Sequence, residues 1–354
     1  MASRRLMPAG VHTGDGYIHF MKVRIPKLED VLAPKKFLKD DKLLLRKEEL
    51  VLVRVITAGI CGTDLHILKG EHDSAPPVIL GHEYVGIVVD RGSVVENVNK
   101  GDFVGVDPNV KCGFCKSCIS GKDNMCKNMT TLGIFTNGGF AQYSLVPAKQ
   151  VYRLLSIPSE RAVFFEPLSC VVNGLQNIGG IFPGESVLVY GGGPIGCLFT
   201  ALAIRQGASS VVVVEPSQFR AQFAKKMGAV VIQPGFEHVF PQFDIVIEAS
   251  GIPSVVPRTF DRVRDGGRVL LFGQQDPKAR VVFCPTIINQ KELQVLGSYA
   301  ATRKSFEATT KILADMHIPL ENLITHVISL SDIEKAFELL EKREALKILI
   351  DPWR

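Results

Sequence analysis

The sequence predicts a mixed α/β protein in two parts: an all-β, barrel-like unit, then a doubly wound parallel sheet. Three observations predict it. A length of 354 residues exceeds what one small core organises. The first part is built from short β-branched runs divided by glycine turns, whereas from about Phe164 continuous apolar runs alternate with helical spacing. Between the first two of those runs lies a glycine turn that opens a helix, Gly191-Gly-Gly193-Pro194-Ile195-Gly196.

Each element follows from its own pattern. Residues 51–57 (Val-Leu-Val-Arg-Val-Ile-Thr) and 84–90 (Tyr-Val-Gly-Ile-Val-Val-Asp) read as strands, and Gly101–Asp107 as a short strand behind a tight turn. In the second part, Val187–Tyr190, Val211–Val214, Asp244–Glu248, Arg268–Phe272 and Leu293–Leu296 suit strands buried on both faces. Ile195–Gly207 and Gln218–Gly228 carry helical spacing with a terminal glycine. A helix is due between Val230 and Asp244, but two prolines in Gln233–Gln242 leave little room, so that crossover is expected to be abbreviated. The end of the chain holds two helical segments, Lys304–Asp315 and Ser331–Lys342, and a last strand, Lys347–Ile350, which return to the first part. The domains read as 1–160 completed by 297–354, and 161–296.

Composition excludes several classes. Charged residues make up 22% and apolar ones 46%, a globular balance. The apolar runs are short and interrupted, so no membrane span is expected. A net charge of +5 is spread along the chain without a basic block interleaved with aromatics, which argues against nucleic acid. Met1–Phe20 lacks the apolar stretch of a secretory signal, and a reducing, cytoplasmic location suits cysteines kept for metal.

The glycine turn has the context that gives it meaning, since it follows a predicted strand and opens a predicted helix. Gly191 permits the tight turn, Gly193 the approach of a pyrophosphate to the backbone, and Gly196 close packing of helix on sheet. The free N–H groups at the start of that helix then face the phosphates. Glu215 ends the next strand, 24 positions after Gly191, where it can accept both adenosine ribose hydroxyls. A carboxylate there repels a 2′-phosphate, which favours NAD over NADP. Arg220, five residues on, can reach the same ribose.

Cys112, Cys115, Cys118 and Cys126 follow C-x2-C-x2-C-x7-C, a spacing that lets four thiolates close a tetrahedral shell around one zinc ion. Such an ion is structural, because no coordination place is left for substrate. The spacings differ from those of iron–sulfur clusters. A second set has the ligand types of an open zinc site: Cys61, His82 and a carboxylate, which is either Glu83 or Glu166. Cys170, Cys197 and Cys284 sit in apolar company and are expected in the core.

Cys61-Gly-Thr63-Asp64-Leu-His66, Gly81-His82-Glu83, the four-cysteine lobe and the glycine turn occur in the order found in zinc-containing medium-chain dehydrogenases. From about Glu49 to the C-terminus the chain resembles that family. Glu166-Pro-Leu-Ser169 is similar to its polyol branch, which includes sorbitol, xylitol and arabinitol dehydrogenases. The resemblance implies a GroES-like catalytic domain and a Rossmann domain, one catalytic and one structural zinc, and NAD as hydride acceptor from a secondary alcohol of a small-molecule polyol. It further implies that Asp64 orients His82, that Thr63 takes the substrate hydroxyl proton, and that His66 passes it to solvent. A homotetramer or homodimer through the cofactor domain is implied as well. A threonine-type dehydrogenase is the neighbouring alternative, and a non-catalytic NAD-binding protein the alternative of another class. Two departures stand out. Residues 1–48 fit the family's opening strands poorly, with an extra stretch before Met21, and Ala300 stands where the sorbitol enzymes resembled carry an arginine, with Arg303 nearby.

Overall fold

The computed structural model describes residues 5–30 and 46–354, so the expectations for residues 1–4 and 31–45 lie outside the described residues. The chain forms two compact units. The first holds residues up to Pro167 with Thr302–Ala314 and Ile324–Arg354; the second holds Leu168–Ala301 with Asp315–Leu323. The first boundary falls inside the helix Phe165–Asn177, a few residues later than the pattern suggests. Phe165 accounts for the shift, because its ring packs on Tyr152 and Phe306 at 5.4 and 5.1 Å, both in the first unit. Pro167 is tolerated there because the first helical turn needs no N–H donor.

The larger sheet of the first unit runs, in spatial order, Val151–Arg153, Phe103–Val106, Glu83–Arg91, Leu50–Gly59, Lys347–Asp351 and Ile324–Ser329. Tyr143–Pro147 pairs with the free flank of Leu50–Gly59. Alternation explains the central strand: Val51, Val53 and Val55 are wholly buried, while Leu52 and Arg54 are partly exposed. The C-terminal strand is held there in two ways. Leu349 and Ile350 pair with Gly59 and Ala58, and the Trp353 indole N–H donates to the Val55 carbonyl at 2.7 Å.

The N-terminal stretch takes a defined place. Leu6–His12 and Ile18–Arg24 form an antiparallel hairpin that belongs to this unit. Met7, Ala9 and Val11 alternate into the same core as Val78 and Ile79, and Gly10 N–H donates to the Phe140 carbonyl at 2.7 Å. Residues 6–24 therefore supply two strands to this unit, a role the sequence leaves open.

The second unit is a six-stranded parallel sheet: β1 (Ser186–Tyr190), β2 (Ser210–Val214), β3 (Val230–Ile232), β4 (Phe243–Glu248), β5 (Val263–Leu271) and β6 (Gln294–Gly297). Its order is β3-β2-β1-β4-β5-β6, the doubly wound arrangement with its topological switch between β1 and β4. Leu188, Tyr190, Val212, Val214, Val246 and Val269 share one core. The crossover from β3 to β4 contains only the single 3-10 turn Glu237–Val239, the abbreviation that its prolines predict. Cys197 is buried as expected and Cys170 half-buried. Cys284 is corrected: it is exposed, because Val281–Pro285 lies outside strand and helix and also exposes Val282. Among the described residues, no helix is long and apolar enough to cross a membrane.

Candidate active site and metal centres

The four cysteines of the first unit converge. Sulfur–sulfur distances are 3.5 Å for Cys112–Cys126, 3.6 Å for Cys115–Cys118, 3.9 Å for Cys112–Cys118 and 4.0 Å for Cys115–Cys126. A tetrahedron with metal–sulfur bonds of ~2.3 Å has edges of about 3.8 Å, so the donor set fits one zinc ion. No disulfide is formed. The chain shapes the cluster locally: Cys115 caps the short helix Lys116–Ile119, and the N–H groups of Cys112 and Cys115 point at the sulfurs of Cys126 and Cys112, at 3.3 and 3.4 Å. Backbone donors at Cys118 and Lys127 lower the Cys115 thiol, whereas burial raises those of Cys118 and Cys126, so holding all four as thiolates calls for a cation among them. Beside the lobe, buried Lys111 is held by Asp107 at 2.7 Å and Asp123 at 3.3 Å.

The second cluster is assembled from distant parts of the same unit. Cys61 caps the helix Gly62–Leu68, and His82 and Glu83 open the strand Glu83–Arg91. Donor atoms of Cys61, His82 and Glu83 lie within 4.8 Å of one another. Asp64, fully buried, receives the Cys61 N–H at 2.9 Å on one oxygen and faces His82 Nδ1 at 3.3 Å with the other. That contact leaves His82 Nε2 for a metal, an orienting duty typical of carboxylate–histidine pairs. Burial opposes a charged His82, yet Asp64 and Cys61 outweigh it and raise its pKa well above the ordinary value. Burial likewise opposes a Cys61 thiolate, and the charge of His82 overcomes it and lowers the thiol. An electropositive partner for the sulfur is what this donor set asks for, and a divalent cation meets that demand better than a proton does.

The carboxylates are placed differently. Glu83 is buried and paired with Lys347, whose ammonium also donates to the Ile60 carbonyl at 3.2 Å. Burial lowers Lys347 to about 8, with Cys61 and Asp64 opposing. Glu166, buried in the first turn of its helix, stands outside the converging trio. Sequence reasoning does not reach Lys347, because a lysine opening an apolar strand reads as a solvated end. Nor does it reach Gly59, where a Cβ would lie 2.6 Å from a Glu83 oxygen and 2.8 Å from Lys347 Cε.

Thr63 and His66 follow on the helix begun by Cys61, one turn apart on one face. Thr63 Oγ1 is 3.6 Å from the Cys61 sulfur. The exposed His66 turns its Nδ1 to Glu71 Oε2 at 2.5 Å. Glu71 reaches it because its N–H caps the His66 carbonyl at 2.9 Å, folding the chain back over the helix end.

In the second unit the glycine turn has its expected setting. Gly191 has φ +104°, Gly193 caps the helix Pro194–Arg205, and Pro194 occupies the first helical position. A Cβ on Gly196 would meet the Gly191 carbonyl oxygen at 1.8 Å, so only glycine fits. Around Gly193 nothing lies within 4 Å of a Cβ, leaving the face open for a phosphate. Glu215 is buried directly after β2, accepting the Gly192 N–H at 2.7 Å and the Ser217 N–H at 2.8 Å. Ile195 lies in the first helical turn with Pro194, and Arg220 in the first turn of Gln218–Lys226, its N–H capped by Ser217.

Comparison with known proteins decides the family. Residues 47–158 match the alcohol dehydrogenase GroES-like domain, and residues 159–351 match the glucose dehydrogenase C-terminus. The chain belongs to the zinc-containing medium-chain alcohol and polyol dehydrogenases. It is thus an oxidoreductase acting on CH–OH donors. This dehydrogenase is 37% identical over 290 residues to the D-altritol 5-dehydrogenase of Agrobacterium fabrum, covering 80% of its own length and 86% of that protein. It is 36% identical over 319 residues to the L-threonine 3-dehydrogenase of Pyrococcus abyssi, covering 84% and 90%. Among solved structures, a candidate zinc-binding dehydrogenase from Sinorhizobium meliloti, bound to NADP, matches with a TM-score of 0.89 at 32% identity, over 98% of this chain and 100% of that one.

Proposed function

We propose that this dehydrogenase oxidises a secondary alcohol of a sugar alcohol to a ketose, with NAD as hydride acceptor. The observation that carries the reading is the convergence of Cys61, His82 and Glu83 within 4.8 Å, beside a helix bearing Thr63 and His66. Zinc there would supply the Lewis acidity that makes a substrate hydroxyl more acidic near neutral pH. Cys61, His82 and Glu83 would hold it, with Glu166 as the carboxylate that acts through water, and Cys112, Cys115, Cys118 and Cys126 would hold the structural ion.

The chain's own residues then handle the proton. Asp64 keeps His82 in place. Thr63 accepts the hydroxyl proton, and His66 passes it to solvent. With His66 Nδ1 facing Glu71, Nε2 is the ring atom left to act as base. Gly191, Gly193 and Gly196, with Pro194 and Ile195 at the helix start, hold the pyrophosphate, and Glu215 with Arg220 holds the adenosine ribose.

Glu215 supports NAD over NADP, although the Sinorhizobium meliloti structure holds NADP. A higher kcat/KM with NADP would overturn that preference. The altritol enzyme supports a polyol substrate, and the threonine enzyme of similar identity gives the second reading. Initial rates of NAD reduction across sorbitol, xylitol, the arabinitols, galactitol, simple alcohols and L-threonine separate the two. Turnover confined to polyols supports the proposal; turnover of threonine alone moves the assignment to the neighbouring branch. Strand β6, an edge of its sheet, supports assembly as a homodimer or homotetramer, which light scattering of the purified protein tests.

A further inference from the structure

Strand β4 ends on a charged residue, Glu248, that none of the roles above uses. Its side chain is wholly buried. One oxygen accepts three hydrogen bonds, from Ser250 N–H at 2.7 Å, Ser250 Oγ at 2.5 Å and Gly251 N–H at 2.9 Å. The other, Oε2, is buried without a hydrogen-bond partner. The Glu248 carbonyl receives the N–H groups of Phe272 and Gly273, both at 2.9 Å. Gly273 closes over the site so tightly that a Cβ there would lie 2.7 Å from Oε2 and 2.3 Å from Gly251 N. One residue thus ties together the turns that leave β4 and β5.

Burying a half-satisfied carboxylate is costly, and a neutral side chain could make the same turn contacts. The position suggests what the charge does. β1 and β4 flank the topological switch, and in such sheets a dinucleotide lies across the crevice at their carboxyl ends. Glu215, after β2, marks the adenosine side and Gly191–Gly196 the pyrophosphate, so the remaining half extends toward β4. The nicotinamide ring is cationic when oxidised and neutral when reduced. A carboxylate at the carboxyl end of β4 would therefore discriminate between the two forms.

We infer that Glu248 is a positioning residue for the nicotinamide half of the cofactor, and that its uncompensated carboxylate biases the site toward the oxidised ring. The inference rests on the reading that this unit holds a nicotinamide dinucleotide. The test is the ratio of dissociation constants for NAD+ and NADH, measured by calorimetry on the whole protein, with ADP-ribose as the ligand that lacks the ring. Glu248→Gln is expected to weaken NAD+ relative to NADH by roughly 3- to 10-fold and to leave ADP-ribose unchanged. Ser250→Ala removes one donor and keeps the charge, so its ratio should equal or exceed the wild-type preference for NAD+.

An unchanged ratio in Glu248→Gln, or an equal loss for both forms, overturns the inference and leaves the cofactor reading intact. If Glu248→Gln does not fold, a reduced NAD+ preference in Ser250→Ala overturns it instead. Wild-type protein that binds neither nucleotide overturns the cofactor reading and this inference with it.

Discussion

The two clusters of metal-ligating side chains are built on opposite plans. Cys112, Cys115, Cys118 and Cys126 span fifteen residues, are mostly half-exposed, and take their geometry from one helical turn and two backbone N–H groups. Cys61, His82 and Glu83 come from a helix cap and a strand start, and their nearest charged neighbours are Asp64 and the far C-terminal Lys347. The first cluster can form wherever its short segment exists. The second exists only once the sheet has brought Leu50–Gly59, Glu83–Arg91 and Lys347–Asp351 side by side. A metal in the first therefore contributes mainly to folding, whereas a metal in the second is held by a fold already made.

The largest expected effect tests that division directly. His82→Ala should lower kcat/KM by about 10³-fold or more, reduce zinc from two ions per chain to one, and spare NAD binding. Elemental analysis beside steady-state kinetics checks it, and retained activity would remove zinc from the chemistry. Next comes Lys347→Met, which strands the Glu83 carboxylate in a buried place. Removing one partner of such a pair costs about 3–5 kcal/mol, so urea unfolding should show a loss of that order. Adding Glu83→Gln should recover part of the stability but not the activity, because Glu83 serves both the ion pair and the metal. A fully additive double variant would deny that the two residues act as a pair.

Cys118→Ser bears on the other plan. It should also leave one zinc per chain, but with a lower Tm, about 1–2 °C for each kcal/mol lost, and with an unchanged KM for substrate in the protein that remains folded. Thermal scans with and without chelator test it. A variant of normal Tm and altered KM would make the lobe part of the substrate site.

How much could be read beforehand follows the same contrast. The four-cysteine spacing and the glycine turn are local, and their geometry is written in consecutive residues. The strands β1, β2 and β4 are equally legible, because burial on both faces leaves a nearly continuous apolar run. The proline-shortened crossover was legible for a related reason, since the residues that forbid a helix sit inside it. What the sequence hid depends on distant parts meeting. Lys347 acquires its meaning only opposite Glu83, and Gly59 only beneath that pair. The hairpin Leu6–Arg24 is not legible because its inward face is short, Met7, Ala9 and Val11, and is completed by Val78, Ile79 and Phe140 far along the chain. Cys284 was misplaced for the converse reason: apolar neighbours in sequence do not bury a residue when the segment takes up neither strand nor helix.

The smallest effect concerns acid, which would blur the comparison unless it is separated out. Acid releases metal from both clusters by protonating their ligands, so loss of activity at low pH could be mistaken for unfolding. The second unit has an acid-sensitive knot that involves no metal. Asp244 accepts Ser186 N–H at 2.8 Å and Ser186 Oγ at 2.7 Å on one oxygen, and Arg264 Nε at 2.6 Å on the other. Burial works against its charge, but these partners prevail and lower its pKa from 3.8 to about 2. The folded form therefore binds the proton less readily than the unfolded one. Its stabilisation is fully present above about pH 4 and is lost as the pH falls through about 2. At full strength the shift corresponds to roughly 2 kcal/mol, an upper figure since the side chain is partly solvated. Asp244→Asn should thus lower stability near neutral pH by up to that amount and flatten the acid limb of the unfolding curve below pH 4, with zinc content and its release unchanged. If instead the variant follows the wild-type acid limb, Asp244 does not set that limb, and the metal clusters and the other depressed carboxylates, Asp15 and Asp90 among them, do.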